Sequence, residues 1–94
     1  MIIAVDYDDT LIRGFEANLS LISRLIGAQR HGHVVILWTC REGKSLAEAL
    51  DVLAGYGFRP SLVNQNAPAA VRHAGHDSRK IYADVYIDDK AVKP

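Results

Sequence analysis

Four short apolar runs, each closed by a polar side chain, constrain this chain more than any other feature. Ile2-Ile3-Ala4-Val5 runs into Asp6, and Val34-Val35-Ile36-Leu37-Trp38 runs into Thr39. Ser61-Leu62-Val63 ends at Asn64, and Asp84-Val85-Tyr86-Ile87 ends at Asp88-Asp89. Runs of this length, rich in β-branched residues and without polar alternation, predict strands covered on both faces. Between them lie helical patterns. Leu19, Ile22, Leu25 and Ile26 recur at spacings of three and four, with Gly32 as the stop. Leu46, Ala49, Leu50 and Leu53 predict a second helix over Lys44 to Ala54, closed by Gly55-Tyr56-Gly57. A weaker third helix is expected from Ala67 to Gly75, with Pro68 in its first turn. Strands alternating with helices across short loops predict an α/β fold with a parallel sheet and crossover helices.

A chain of 94 residues has room for one domain and one core. Hydrophobic residues make up 49% and charged residues 23%, which excludes a disordered composition. Eleven basic and eleven acidic residues balance, so the electrostatic footprint of a general nucleic-acid binder is absent. The single cysteine, Cys40, has no internal partner for a disulfide, which fits a reducing cytoplasm. No apolar run approaches the ~20 residues of a membrane span, and the first residues lack the pattern of a signal peptide.

In open parallel sheets ligands bind at the carboxyl ends of the strands. Asp6, Asp8, Asp9, Asp88 and Asp89 would gather on that edge. Carboxylates so close raise one another's pKa unless a cation joins them. An all-oxygen ligand set selects a hard ion, Mg²⁺ rather than Zn²⁺, and Mg²⁺ in turn draws phosphate. Asp6 is then a candidate nucleophile forming an aspartyl-phosphate, and Asp8 a candidate to give and take the proton. The Thr39 hydroxyl can hydrogen-bond a phosphoryl oxygen, and Lys80, a few residues before the fourth run, can offset the developing charge. Arg41 and Lys44 follow the second run and could meet a leaving group or second phosphate.

Each of these residues also has a plain structural use. Asp6 and Asp8 could be a solvated turn, Thr39 a strand end or helix cap, Lys80 a surface lysine with Arg79 and Lys90 competing for its role, and Asp88-Asp89 turn chemistry. Structural roles suit Asn64 and Asn66 at loop edges. His73 and His76 lack a third soft ligand, and Cys40 reads as a small core residue. Arg72, His73, Arg79 and Lys80 make a modest basic patch.

Taken together, Val5-Asp6-Tyr7-Asp8-Asp9-Thr10, Leu37-Trp38-Thr39, Lys80 and Val85-Tyr86-Ile87-Asp88-Asp89 resemble, in order, the four motifs of the haloacid dehalogenase (HAD) superfamily. The resemblance spans residues 2 to 89. It implies a Rossmann-like sheet, with the four strands in the order 3-2-1-4, and a Mg²⁺-dependent phosphatase working through an aspartyl-phosphate on Asp6. It implies metal ligation by the Asp6 carboxylate, the Asp8 backbone carbonyl and an acid of the last motif, Asp89 with Asp88 in support. The position after Asp8, often glycine in that superfamily, is Asp9 here. No stretch has room for a cap domain, so residues 1–94 are expected to form a single capless domain. The substrate would be a phosphorylated small molecule, a nucleotide or a nucleic-acid end, with a second copy of the chain available to cover the open site. The superfamily's fifth strand and closing helix are expected to be missing, leaving a sheet edge for a partner to cover. The alternative is a catalytically silent HAD-like binding or regulatory module. A receiver-like phospho-acceptor fits poorly, because its accepting aspartate ends the third strand, where this chain has Asn64.

Overall fold

The computed structural model describes residues 1–74, 81–89 and 92–93. β1 (Ile2–Asp6) lies between two parallel neighbours, β4 (Val34–Trp38) and β6 (Val85–Ile87). β5 (Leu62–Val63) runs parallel to β4 on the far side. The register pairs Ile2 with Val34 and Asp6 with Trp38, and it pairs Val5 with Ile87. The four apolar runs are β1, β4, β5 and β6, and the five-stranded sheet has the order β5-β4-β1-β6-β7, so the third, second, first and fourth runs lie side by side and β7 is added beyond them. Two features change the description. β2 (Ile12–Arg13) and β3 (Glu16–Ala17) form a separate antiparallel hairpin in a segment expected to hold one helix. A fifth strand, β7 (Val92–Lys93), also adds antiparallel to β6 where none was expected.

Both faces of the central strands are covered, which is why their sequences are continuously apolar. On one face Val5, Val35 and Leu37 pack with Ile22 and Leu25 of α1 (Leu19–Arg30) and with Ala49 and Leu53 of α2 (Gly43–Gly55). On the other, Ala4 and Ile36 pack with Ala83, flanked by Ile81, Leu62 and Tyr86. α3 (Pro68–Ala74) follows β5. The start of β6 is fastened to the start of β1. The Ile2 amide donates to Asp84 Oδ2 at 2.7 Å, and the Asp84 amide donates to the Ile2 carbonyl at 2.8 Å.

Both long helices end in the same way. At α2, the Phe58 amide donates to the Leu53 carbonyl and the Gly57 amide to the Ala54 carbonyl, with Gly57 at φ +80°. At α1, His33 and Gly32 donate to Ala28 and Gln29, with Gly32 at φ +88°. This six-to-one and five-to-two pairing needs a left-handed residue, and glycine takes it without strain. The reversal after α2 delivers Phe58, fully buried, into the core beside Leu53.

The Phe58→Ala substitution should therefore cost about 3–5 kcal/mol, from lost transfer energy and the cavity left behind. Urea unfolding of the two proteins measures it.

Candidate functional site

The carboxyl ends of β1, β4 and β6 form one edge, and the turn after β1 is its centre. The Tyr7 carbonyl accepts from the amides of Thr10, Leu11 and Ile12, and the Asp9 amide donates to the Ile12 carbonyl at 2.8 Å. Closing this turn requires Asp9 to adopt φ +63°. Aspartate thus takes the left-handed conformation that glycine would hold more cheaply, and the turn keeps its shape despite the added charge. From the turn the chain enters the β2–β3 hairpin, whose tip carries Gly14 and the fully exposed Phe15. It returns to Asn18, whose amide donates to the Leu11 carbonyl and whose side chain caps α1 by accepting from the Leu21 amide.

Asp6 is half-buried, and its Oδ1 accepts the Tyr7 amide at 2.9 Å. Its carboxyl is held above the ordinary range. Burial is the main cause; the Tyr7 hydrogen bond opposes it, and the charges of Asp8, Asp89 and Asp88 add to it. These repulsions follow from the register, which sets Val5 beside Ile87 and so brings the acids after β1 next to the doublet after β6. Asp8 behaves differently. Arg41 grips it with two hydrogen bonds, Nε to Oδ2 at 3.0 Å and Nη2 to Oδ1 at 2.8 Å, and these hold its carboxyl below the ordinary range. The same guanidinium lies 4.8 Å over the Tyr7 ring and donates to Ser45. Arg41, expected at the substrate, is thus engaged with the acid expected to move the proton.

Thr39 is buried at the end of β4. Its Oγ1 accepts the Arg41 amide at 3.1 Å, which leaves the hydroxyl proton for another acceptor. Asn64 fixes Thr39 from β5. The Thr39 amide donates to Asn64 Oδ1 at 2.8 Å, and Asn64 Nδ2 donates to the Thr39 carbonyl at 2.9 Å. Asn64 sits at φ +50°, a conformation asparagine tolerates better than most residues. Asn66 is also structural, accepting the Tyr82 amide through Oδ1 at 2.6 Å. Cys40 is exposed rather than in the core, because Thr39 takes the inward position next to it. Lys80, with Arg79, Lys90 and His76, lies outside the described residues, as does the His73 side chain.

Among the described residues, no three His, Cys, Asp or Glu side chains are grouped so as to hold a metal ion. The edge nonetheless offers hard oxygen donors of a second kind. Asp8's carboxylate is taken by Arg41, but no described group donates to its backbone carbonyl oxygen. That carbonyl, with the Asp6 carboxylate and one acid after β6, is a donor set suited to Mg²⁺.

A search of solved structures finds a conserved protein from Bacteroides thetaiotaomicron. It superposes with a TM-score of 0.80 at 34% identity, covering 97% of this chain and 77% of that one. The present chain belongs to that protein's family. No protein-family model matches it, and no curated protein does. Coverage of nearly the whole chain means that the family likeness includes the sheet and the turn after β1, not one element alone. No helix among the described residues is long and apolar enough to cross a membrane.

Two outcomes test this geometry. At Asp9, valine should lower stability by about 1–2 kcal/mol, because a β-branched residue resists positive φ, whereas glycine should not lower it; thermal unfolding of Asp9→Val and Asp9→Gly measures the contrast. Asp6→Asn should stabilise the fold near neutral pH. A carboxyl raised in the folded state favours folding most below the unfolded pKa, and that contribution falls away as pH rises through the folded value. The gain should therefore be present at pH 7 and vanish below the ordinary carboxylate range, in unfolding curves recorded across pH.

Proposed function

We propose that this chain is a magnesium-dependent phosphomonoester hydrolase of the HAD type, acting through an aspartyl-phosphate on Asp6. The observation that carries the reading is the parallel register of β1 and β6, which ends the two strands side by side and brings Asp6 next to the Asp88-Asp89 doublet. Bound by Asp6, the Asp8 carbonyl and Asp89, with Asp88 in support, Mg²⁺ would screen these charges and polarise the phosphoryl oxygens. Asp6, made more basic by its neighbours, attacks phosphorus as the bond to the leaving oxygen breaks. Asp8 delivers a proton to that oxygen, then takes one from the water that cleaves the acyl phosphate. Thr39 donates its free hydroxyl proton to a phosphoryl oxygen.

Arg41 sets a condition on this sequence. While its guanidinium grips Asp8, that carboxyl stays ionised and has no proton to give the leaving oxygen. An arriving phosphate competes for the guanidinium, and release of Asp8 raises its proton affinity when the leaving group needs it. The same grip supports a second reading, a catalytically silent module whose acid is permanently tied down.

With Mg²⁺ present the chain should release phosphate from an aryl phosphate, and Asp6→Asn should lose roughly a thousandfold or more of that rate. Full activity in Asp6→Asn would overturn the nucleophile. No turnover across a broad phosphate panel, together with no binding of beryllium trifluoride, would favour the silent module.

A further inference from the structure

A cavity of about 400 Å³ opens beside the acidic doublet, between the β2–β3 hairpin, the start of α1 and the end of β6. Its volume is within the range of small-molecule sites. The two ends differ in chemistry. Asp88 and Asp89 line one side, with Ile87 behind them. Arg13 from β2 and Arg24 from the second turn of α1 line the other. Asp9 also borders the cavity, so the two charges meet across it.

The basic side is under-used by the protein itself. Arg24 makes no hydrogen bond or ion pair with any described residue. Arg13 has one contact, a long 3.4 Å bond to the Asp9 carbonyl. Ser20 stands one helical turn before Arg24, so its hydroxyl and that guanidinium share a face. Thr10 is nine-tenths buried and lines the cavity. Among the described residues, its Oγ1 is the one buried side-chain polar atom with no partner. An orphaned hydroxyl in such a wall calls for a missing acceptor. The first-turn amides of α1 have no intrahelical acceptors and add partial positive charge on the same side.

We propose that this cavity is a leaving-group subsite that selects bisphosphorylated small molecules, with the second phosphate held by Arg13 and Arg24. The inference rests on the phosphatase reading. The scissile phosphoryl group lies just beyond the acidic end, against Asp6, which does not itself line the cavity, and the leaving group carries its other phosphate to the basic end. Two guanidinium forks from different elements match a dianion better than a carboxylate or a neutral hydroxyl. Asp9 and the doublet repel an anion placed elsewhere in the cavity, so the charges also fix which way the ligand lies.

The test titrates the ¹⁵N-labelled chain, without divalent metal, with alkanediol bisphosphates of three to six carbons and with the matching monophosphates. At least one bisphosphate should bind about tenfold more tightly than its monophosphate, shifting the Arg13 and Arg24 Nε resonances. The difference should collapse in the double variant Arg13→Gln with Arg24→Gln and persist in the double variant Arg30→Gln with Arg59→Gln, a charge-matched change near the far end of α1. The paired lysine variants should retain part of it, and the amide spectrum reports that every variant is folded. Equal binding of mono- and bisphosphates, or a preference that survives the glutamine pair, overturns the subsite. Aryl phosphate turnover with Mg²⁺, assayed in parallel, separates the two readings. Turnover without a bisphosphate preference removes only the subsite. A preference without turnover removes the phosphatase and with it the leaving-group role, and leaves a bisphosphate-binding site.

Discussion

The structure depends on β1 being hydrogen-bonded along both of its edges. Parallel pairing to β4 and β6 fixes where β1 ends relative to its neighbours, and so fixes where Asp6 stands. With Asp6 beside Trp38 and Val5 beside Ile87, the residues one step further on are Thr39 and Asp88. The site edge is thus a consequence of register, and a one-residue slip of either neighbour would send every side chain to the wrong face. The apolar packing on both faces enforces the register, because the same alternation that buries Val35 and Leu37 against α1 and α2 buries Ile36 on the other side.

That geometry sets opposing electrostatic demands within a few residues. Asp6 is pressed toward its neutral form by burial and by three neighbouring acids, while Asp8, two positions on, is held ionised by Arg41. Two carboxyls of one turn are thereby driven in opposite directions, Asp6 away from the charged form a nucleophile needs and Asp8 away from the protonated form a proton donor needs. Arg41 links the two strand ends, since its backbone binds the β4 threonine and its side chain the β1 acid. Fixing Thr39 from the other side falls to Asn64, so β5 contributes to the site although none of its residues faces the ligand edge in the chemistry proposed.

The four strands, both long helices and the polar strand ends were legible in the sequence because burial on two faces and helical periodicity write themselves into residue type. The hairpin was not, because Ile12–Arg13 and Glu16–Ala17 are too short to show a period of two, and the Gly14 turn between them was lost in a segment otherwise read for its helix. Cys40 was misplaced for a related reason. Its place just after an apolar run suggested the core, yet the strand ends at Trp38 and alternation no longer governs the next residues. Arg41 was recognised as a site residue, but its partner was not, since contact between residues 33 positions apart leaves no trace in local pattern. Asp9 stands where the resemblance led one to expect glycine. The backbone shows that the residue complies with the glycine conformation and bears the strain.

Both borders of the five-stranded sheet are strands of two residues, Leu62–Val63 on one side and Val92–Lys93 on the other. Such short margins expose few unpaired amides and carbonyls, which makes them poor templates for strand addition. At the β5 border, an approaching chain would therefore meet side chains rather than a row of free backbone groups.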